Sequence, residues 1–238
     1  MTEKQYYYFN STNYPIFVTK NTVDITPYTF QKNGQMWENK SLYQFYSCID
    51  SKSYNIIDIG AQSGLYSLFA KYLPNSTFYS FEPFIDTFNC LNDNLKLNKI
   101  TNVKTYNIGI SDNIGTSILN TSIEHNGFHT MGNNPLRFSD IKPITIKIST
   151  LDECFYNKDI PVHFIKIDTE GWEYNILKGG EKTIEKNKPI IQLEWNITNM
   201  KQCNVSEIDL INVLNKYDYY EKSMADEEKL FFPRSLCK

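Results

Sequence analysis

Asn55-Ile-Ile-Asp-Ile-Gly-Ala-Gln-Ser-Gly64 is the stretch that decides the fold. It runs from an apolar strand, residues 54–59, through Asp58 into a turn carrying Gly60, Ala61, Gln62 and Gly64. Residues 63–73 follow as an expected helix, stopped by Pro74. A strand that ends in Asp-x-Gly-x-x-x-Gly and feeds a helix makes a nucleotide cradle. Glycine lets the backbone approach the ligand, and the helix N-terminus offers N–H groups. A strand-to-helix corner packed tightly for structural reasons alone would look similar. The acid adds information: two residues before the first glycine, it suits a ligand with positive charge or hydroxyls and fits a pyrophosphate poorly.

Working outward, Glu82 lies 24 residues beyond Asp58 (82 − 58), at the end of an expected strand over residues 77–81. In doubly wound folds an acid about 20 residues past the glycine turn takes the ribose hydroxyls of a nucleoside. The same acid would also complement the dipole of the helix expected over residues 84–97, and Pro83 rigidifies the exit in either case. Together the two acids predict an adenosine-containing ligand, and the turn points away from NAD and toward S-adenosylmethionine (SAM). Residues 103–110 read as a third strand, ending in Asn107-Ile-Gly-Ile-Ser-Asp112. That end should border the adenine, with Gly109 permitting close approach and Asp112 accepting from the adenine amino group. A plain turn explains Asp112 equally well.

Strands alternating with helices predict a parallel sheet covered on both faces. The alternation breaks after the third strand, where residues 116–122 and 144–149 read as a long inserted hairpin. Its loop, residues 124–140, holds His125, Phe128, His129, Met131 and Arg137. A loop of this length inside a compact domain is usually functional or mobile. Alternation resumes with a helix capped by Ser149 or Thr150, then a strand over residues 162–167 ending in Asp168-Thr-Glu-Gly171. A helix follows from Trp172, then a strand over residues 189–193 ending in Glu194-Trp-Asn196, and a helix over residues 206–215 opened by a Ser206/Asp209 capping box. Residues 217–220 and 230–232 look like a terminal antiparallel pair. Residues 1–50 form an N-terminal helical or cap segment, with a β-like run at 16–18 and a helix over about 36–49, ahead of a core at 51–238. The 238 residues are expected to make one domain.

Ligands in such sheets sit at the carboxyl ends of the strands. Asp168 and Glu194 are therefore placed to face a reacting group. Two carboxylates there can act as a base for a hydroxyl or hold a hard divalent cation such as Mg. His125 and His129 are the second candidates for proton transfer. Glu170 and Glu173 follow at the helix start, where charge that complements the dipole is the plain alternative for both and the favoured reading for Glu173.

Asp58-Ile-Gly-Ala-Gln-Ser-Gly64, Phe81-Glu-Pro83, Gly109-Ile-Ser-Asp112, Thr150-Leu-Asp152, Lys166-Ile-Asp-Thr-Glu-Gly-Trp-Glu173, Leu177-Lys-Gly179 and Glu194, in this order, resemble the FkbM-type SAM-dependent methyltransferases. The likeness spans about residues 38–196, and the Lys-Ile-Asp-x-Glu-Gly-x-Glu run is its most specific part. It implies a Rossmann-like class I fold: a mostly parallel seven-stranded sheet with helices on both faces, an antiparallel C-terminal strand and the hairpin inserted after the third strand. It also implies methyl transfer to hydroxyls of sugars, polyketides or related small molecules. The family's turn commonly reads Gly-Ala-Asn-x-Gly, and this chain carries Gln62 where Asn would stand.

Composition bounds the alternatives. Formal net charge is −3 and Arg137 and Arg234 are the only arginines, a poor basis for non-specific nucleic-acid binding. RNA ribose 2′-O-methylation would need a second lysine on its own strand between Asp168 and Glu194, and the 26 residues separating them (194 − 168) leave no room for it. An NAD-dependent dehydrogenase would need Gly-x-Gly-x-x-Gly, which residues 60–65 do not supply. A catalytically inactive SAM-fold scaffold would have no use for the full set Asp58, Glu82, Asp168 and Glu194. Five scattered cysteines without a Cys-x-x-Cys pair predict reduced thiols. No signal pattern or membrane-length apolar run appears, so a cytoplasmic location is expected.

Overall fold

The structure, a computed structural model, describes residues 4–8, 15–19, 39–49, 52–122, 129–132, 141–222 and 228–236. In chain order the elements begin with β1 (Lys4–Tyr8) and β2 (Pro15–Thr19), an antiparallel pair, and α1 (Asn39–Ser47). The first half of the core holds β3 (Asn55–Ile59), a 3-10 helix (Ser67–Tyr72), β4 (Thr77–Phe81), α2 (Ile85–Leu97) and β5 (Val103–Tyr106). An insertion follows: β6 (Gly109–Ile110), β7 (Gly115–Ser122) and β8 (Ile141–Ser149). The second half contains a π-turn (Asp152–Tyr156), β9 (Phe164–Ile167), α3 (Glu173–Lys178), α4 (Glu181–Asn187) and β10 (Ile190–Glu194). The chain continues through α5 (Ile197–Gln202), α6 (Glu207–Lys216), β11 (Tyr219–Glu221) and β12 (Glu228–Pro233).

Seven strands form one sheet in the order β11-β12-β10-β9-β3-β4-β5. β3, β4, β5, β9 and β10 run parallel, and β12 is antiparallel to both β10 and β11. The chain winds from β3 toward β5 and then returns to β9 on the other side of β3. That reversal opens the crevice between the carboxyl ends of β3 and β9, where ligands bind in such sheets.

Both faces are buried, as parallel strands require. On one face Ile57, Ile165, Ile191 and Leu193 pack against Leu177, Ile184 and Leu210 of the helices. On the other, Ile56, Phe78 and Phe164 meet α1 and the 3-10 helix, where Phe45 sits edge-on to Tyr66, Phe69, Phe78 and Phe164 with centroids 5.1–6.3 Å apart.

Several expectations change in detail. Residues 63–73 do not make an α-helix. Asn102 Nδ2 donates to the carbonyls of Ala70 (3.1 Å), Leu73 (3.0 Å) and Ser76 (2.8 Å), which favours a tighter 3-10 turn. The third strand splits: Asn107 Nδ2 donates to the carbonyls of Glu82 (2.9 Å) and Pro83 (3.0 Å), and the chain leaves the main sheet there. Gly109 and Ile110 then pair with β8 in a separate three-stranded sheet ordered β6-β8-β7. Thr150 Oγ1 caps the next turn by accepting from Glu153 N, but that turn is π-helical. Asp152 is used structurally, accepting from Thr183 N and Oγ1 (both 2.8 Å) at the start of α4. The Ser206/Asp209 capping box is present. Among the described residues, no helix is long and apolar enough to cross a membrane.

Candidate active site

Asp58 lies inside β3 rather than in the turn and is buried. Its neighbours in register are Ser80 on β4 and Lys166 on β9. Ser67 Oγ donates to Asp58 Oδ2 at 2.5 Å and is itself 2.7 Å from Ser80 Oγ. Asp58 Oδ1 has no partner among the described residues. Burial raises the Asp58 carboxyl above its ordinary range, opposed by the Lys166 charge and the Ser67 hydrogen bond.

The turn is shaped by close approach. Gly60 has φ +75°, and a Cβ there would fall 1.8 Å from the Asp168 carbonyl oxygen. The turn's own N–H groups are engaged within the protein. Gly60 N and Ala61 N donate to the Phe81 carbonyl (3.0 and 3.1 Å), and Gln62 N donates to Glu82 Oε2 at 2.9 Å. A phosphate would find these amides taken, which agrees with the argument against a pyrophosphate. Gln62 is left-handed, φ +48°, a conformation that Asn adopts more readily than Gln.

Glu82 ends β4 as expected and binds the backbone on both sides. Its Oε1 accepts from Phe84 N at 2.9 Å while Oε2 holds Gln62. One carboxylate thus ties the glycine turn to the loop around Pro83. Burial pushes its pKa up to about 7, with the hydrogen bonds from Phe84, Thr87 and Gln62 pulling the other way.

The strand-three residues land elsewhere. The space beside Gly109 is filled by Ile146, Ile148 and Met131, so the glycine admits the hairpin. Asp112 faces Lys178 at 3.6 Å and accepts from Ser111 Oγ at 3.3 Å. Ser111 Oγ in turn accepts from Trp172 Nε1 at 3.1 Å. The segment is a packing hub beside α3.

The carboxyl ends of β9 and β10 bring acids together. Oxygens of Asp168, Glu170 and Glu194 all lie within 4.8 Å of one another, close enough to hold a hard divalent cation. Lys166, buried, donates to Asp168 Oδ2 at 2.7 Å and lies 4.7 Å from the Tyr66 ring centroid. Glu170 has φ +55° and joins the cluster. Glu173 is buried, and its Oε1 accepts from Thr169 N, Thr169 Oγ1 (both 2.9 Å) and Gly171 N (3.3 Å), closing the loop. Asn199 Nδ2 donates to both Glu170 and Glu194. Glu194 Oε2 has no partner among the described residues. Burial raises the Glu194 carboxyl well above its ordinary range, helped by the charges of Glu170, Asp168, Glu173 and Glu228.

The two histidines separate. His125 lies outside the described residues. His129 packs edge-on against Phe84, centroids 4.4 Å apart, with neither ring nitrogen bonded among the described residues. Burial lowers its pKa to about 4, far from the near-neutral value that suits a general base. Its neighbour Thr130 donates to the Glu170 carbonyl at 2.9 Å, which latches the hairpin to the acid loop.

Lys166, Glu170 and Asn199 were missed as site residues by sequence reasoning. The Asp-x-Glu spacing was a signal for Glu170. Asn199 carried none, since α5 is too short for periodicity.

A sheet of this order, with acids ending β4, β9 and β10 around a glycine turn, defines a Rossmann-like SAM-dependent methyltransferase fold. The chain matches the Methyltransferase FkbM domain over residues 58–220, and it belongs to that family. A crystal structure of Methyltransferase FkbM from Methylobacillus flagellatus KT is similar at 19% identity and TM-score 0.52, covering 76% of this chain and 43% of that one. This chain therefore spans less than half of that protein. P. horikoshii TYW2, in complex with MeSAdo, is similar at 13% identity and TM-score 0.50, covering 98% of this chain and 70% of that one. Among curated proteins no sequence matches this chain significantly.

Proposed function

We propose that the protein transfers a methyl group from SAM to a hydroxyl of a small molecule or carbohydrate. The observation that carries this reading is the convergence of Asp168, Glu170 and Glu194 within 4.8 Å, at a loop whose Asp168 backbone packs against Gly60 of the glycine turn. SAM would lie over Gly60 and Gly64, its ribose hydroxyls on Glu82 and its methionyl end toward Asp58, whose free oxygen offers an acceptor.

The transfer is an in-line displacement, in which the protein's work is positioning and removal of water. The acceptor oxygen forms its bond to the methyl carbon as the carbon–sulfur bond breaks, and that electron pair returns to sulfur, leaving S-adenosylhomocysteine (SAH). The hydroxyl proton passes to Asp168, which Lys166 holds in place, with Glu194 as the neighbouring acid. The same three carboxylates suit Mg, which would supply Lewis acidity toward the hydroxyl when bound. His129, neutral and wedged against Phe84, serves better as a wall of the acceptor site than as its base.

Incubation with SAM and a panel of saccharides, read by mass spectrometry, tests the reading. A product heavier by one CH2, with the methyl on oxygen, is expected. Methylation only on nitrogen or on RNA would overturn it, as would SAM binding without any transfer, which would leave a scaffold.

A further inference from the structure

We propose that Asn199 is a positioning residue for methyl transfer, its single side-chain amide clamping Glu170 and Glu194 into one acidic face. The inference rests on the reading above that these acids meet the acceptor. Asn199 Nδ2 donates to Glu170 Oε2 at 2.6 Å and to Glu194 Oε1 at 2.8 Å. Hydrogen bonds from an amide to carboxylates are short and strong when the acceptor is charged. The orientation of the amide follows from its partners. An oxygen in place of Nδ2 would face two acceptors, whereas Oδ1 instead accepts from Gln202 Nε2 at 3.1 Å.

The surrounding chain is arranged to bring this amide to the acids. Asn196 caps α5 by accepting from Thr198 N and Asn199 N, which fixes the first turn of the helix. Gly171 has φ +103°, and a Cβ there would lie 2.2 Å from the Asn199 carbonyl oxygen. The acid loop and α5 therefore meet only because position 171 lacks a side chain. Asn199 is fully buried, so no bulk water replaces its donors. Glu194 otherwise faces Glu170 and Asp168 at the end of β9, Glu173 on α3 and Glu228 on β12, all of like charge, and Lys166 is engaged with Asp168. Removing the shared amide takes away the bonds that hold the two carboxyls to one donor and lets the Glu170 and Glu194 side chains turn apart. No hydrogen bond among the described residues joins Asn199 to Glu82 or the glycine turn, so cofactor binding should be spared.

The test compares wild type with Asn199→Leu, which keeps the shape and removes both donors, and with Gln202→Met, which frees the amide to rotate. Expected is a fall in kcat of about 10–100-fold for Asn199→Leu, the range typical of residues that orient functional ligands. A smaller fall is expected for Gln202→Met, with KM for SAM and SAH affinity within twofold of wild type in both. A crystal structure of Asn199→Leu should show the Glu170 and Glu194 side chains moved apart. Unchanged kcat with the two acids in place, or a loss of SAH affinity as large as the loss of kcat, overturns the proposal. If Asn199→Leu does not fold, Gln202→Met decides alone, and wild-type turnover there overturns the proposal. Should wild type methylate no hydroxyl, the functional reading fails, while the positions of the two acids in the variant crystals still decide what Asn199 does.

Discussion

Glu82 and Glu194 both end a strand of the main sheet, both are raised by burial, and yet they are held in opposite ways. Glu82 binds backbone on each side, one oxygen to Gln62 N and the other to Phe84 N. Glu194 has one oxygen on a side-chain amide from α5 and the other without a partner among the described residues. The end of β4 is thus completed by main chain on either side of it. The acidic group at the ends of β9 and β10, the acceptor side in the function proposed above, is completed by side chains brought from three elements. A buried polar atom left unpaired costs about 1–3 kcal/mol, and both Glu194 Oε2 and Asp58 Oδ1 are left so among the described residues, each open to a ligand.

The comparison breaks if the two sides fail together. Asp168→Ala should lower turnover by roughly 10²–10⁴-fold, the range of a general base, while SAH binding measured by calorimetry stays within a few-fold. Loss of SAH binding in step with turnover would merge the two sides into one. Gly60→Ala probes the seam between them, because its Cβ would fall 1.8 Å from the Asp168 carbonyl oxygen at φ +75°. A stability loss of about 3 kcal/mol or more is expected, seen as a drop in Tm, with SAH binding and turnover lost together.

Glu82 gives a pH signature. Its carboxyl sits at about 7 in the folded chain against an ordinary 4.5, so the folded state holds a proton that the unfolded state has released. Stability from this group is present below pH 4.5 and is lost as pH rises through 7, by up to about 3 kcal/mol in all. Glu82→Gln should flatten that slope in denaturant titrations across the same window. Ribose hydroxyls favour the ionised carboxylate, so SAH binding near neutral pH should release a proton. Calorimetry in buffers of different ionisation enthalpy reads that release, which should vanish in Glu82→Gln together with about tenfold in affinity. The smallest effect is expected for Gln62→Asn, which suits φ +48° better and should stabilise by about 0.5–1 kcal/mol without touching turnover.

What the sequence disclosed follows the same division. Asp58, Gly60 and Glu82 were legible because one strand, one turn and the next strand set their spacing, and local chain geometry carries that information. Asp168 and Glu194 were legible as strand ends. Their partners were not. Asn199 reaches the acids from a six-residue helix, and Gly171 is required by a carbonyl 28 residues further on (199 − 171). The 3-10 turn at Ser67–Tyr72 was misread because Asn102, far along the chain, takes carbonyls near its end. Periodicity reports which face is apolar. It says nothing of a side chain from elsewhere that claims backbone groups.

The β7–β8 hairpin pairs as strands with itself and with two residues of β6, and among the described residues no strand of the seven-stranded sheet pairs with it. It behaves as a cassette. Its sequence can change without rewriting the sheet, provided Thr130 or an equivalent hydroxyl still reaches the Glu170 carbonyl and position 132 stays small against Cys203. The hairpin can therefore change in length and sequence while the seven-stranded sheet and the turn at Gly60 keep theirs.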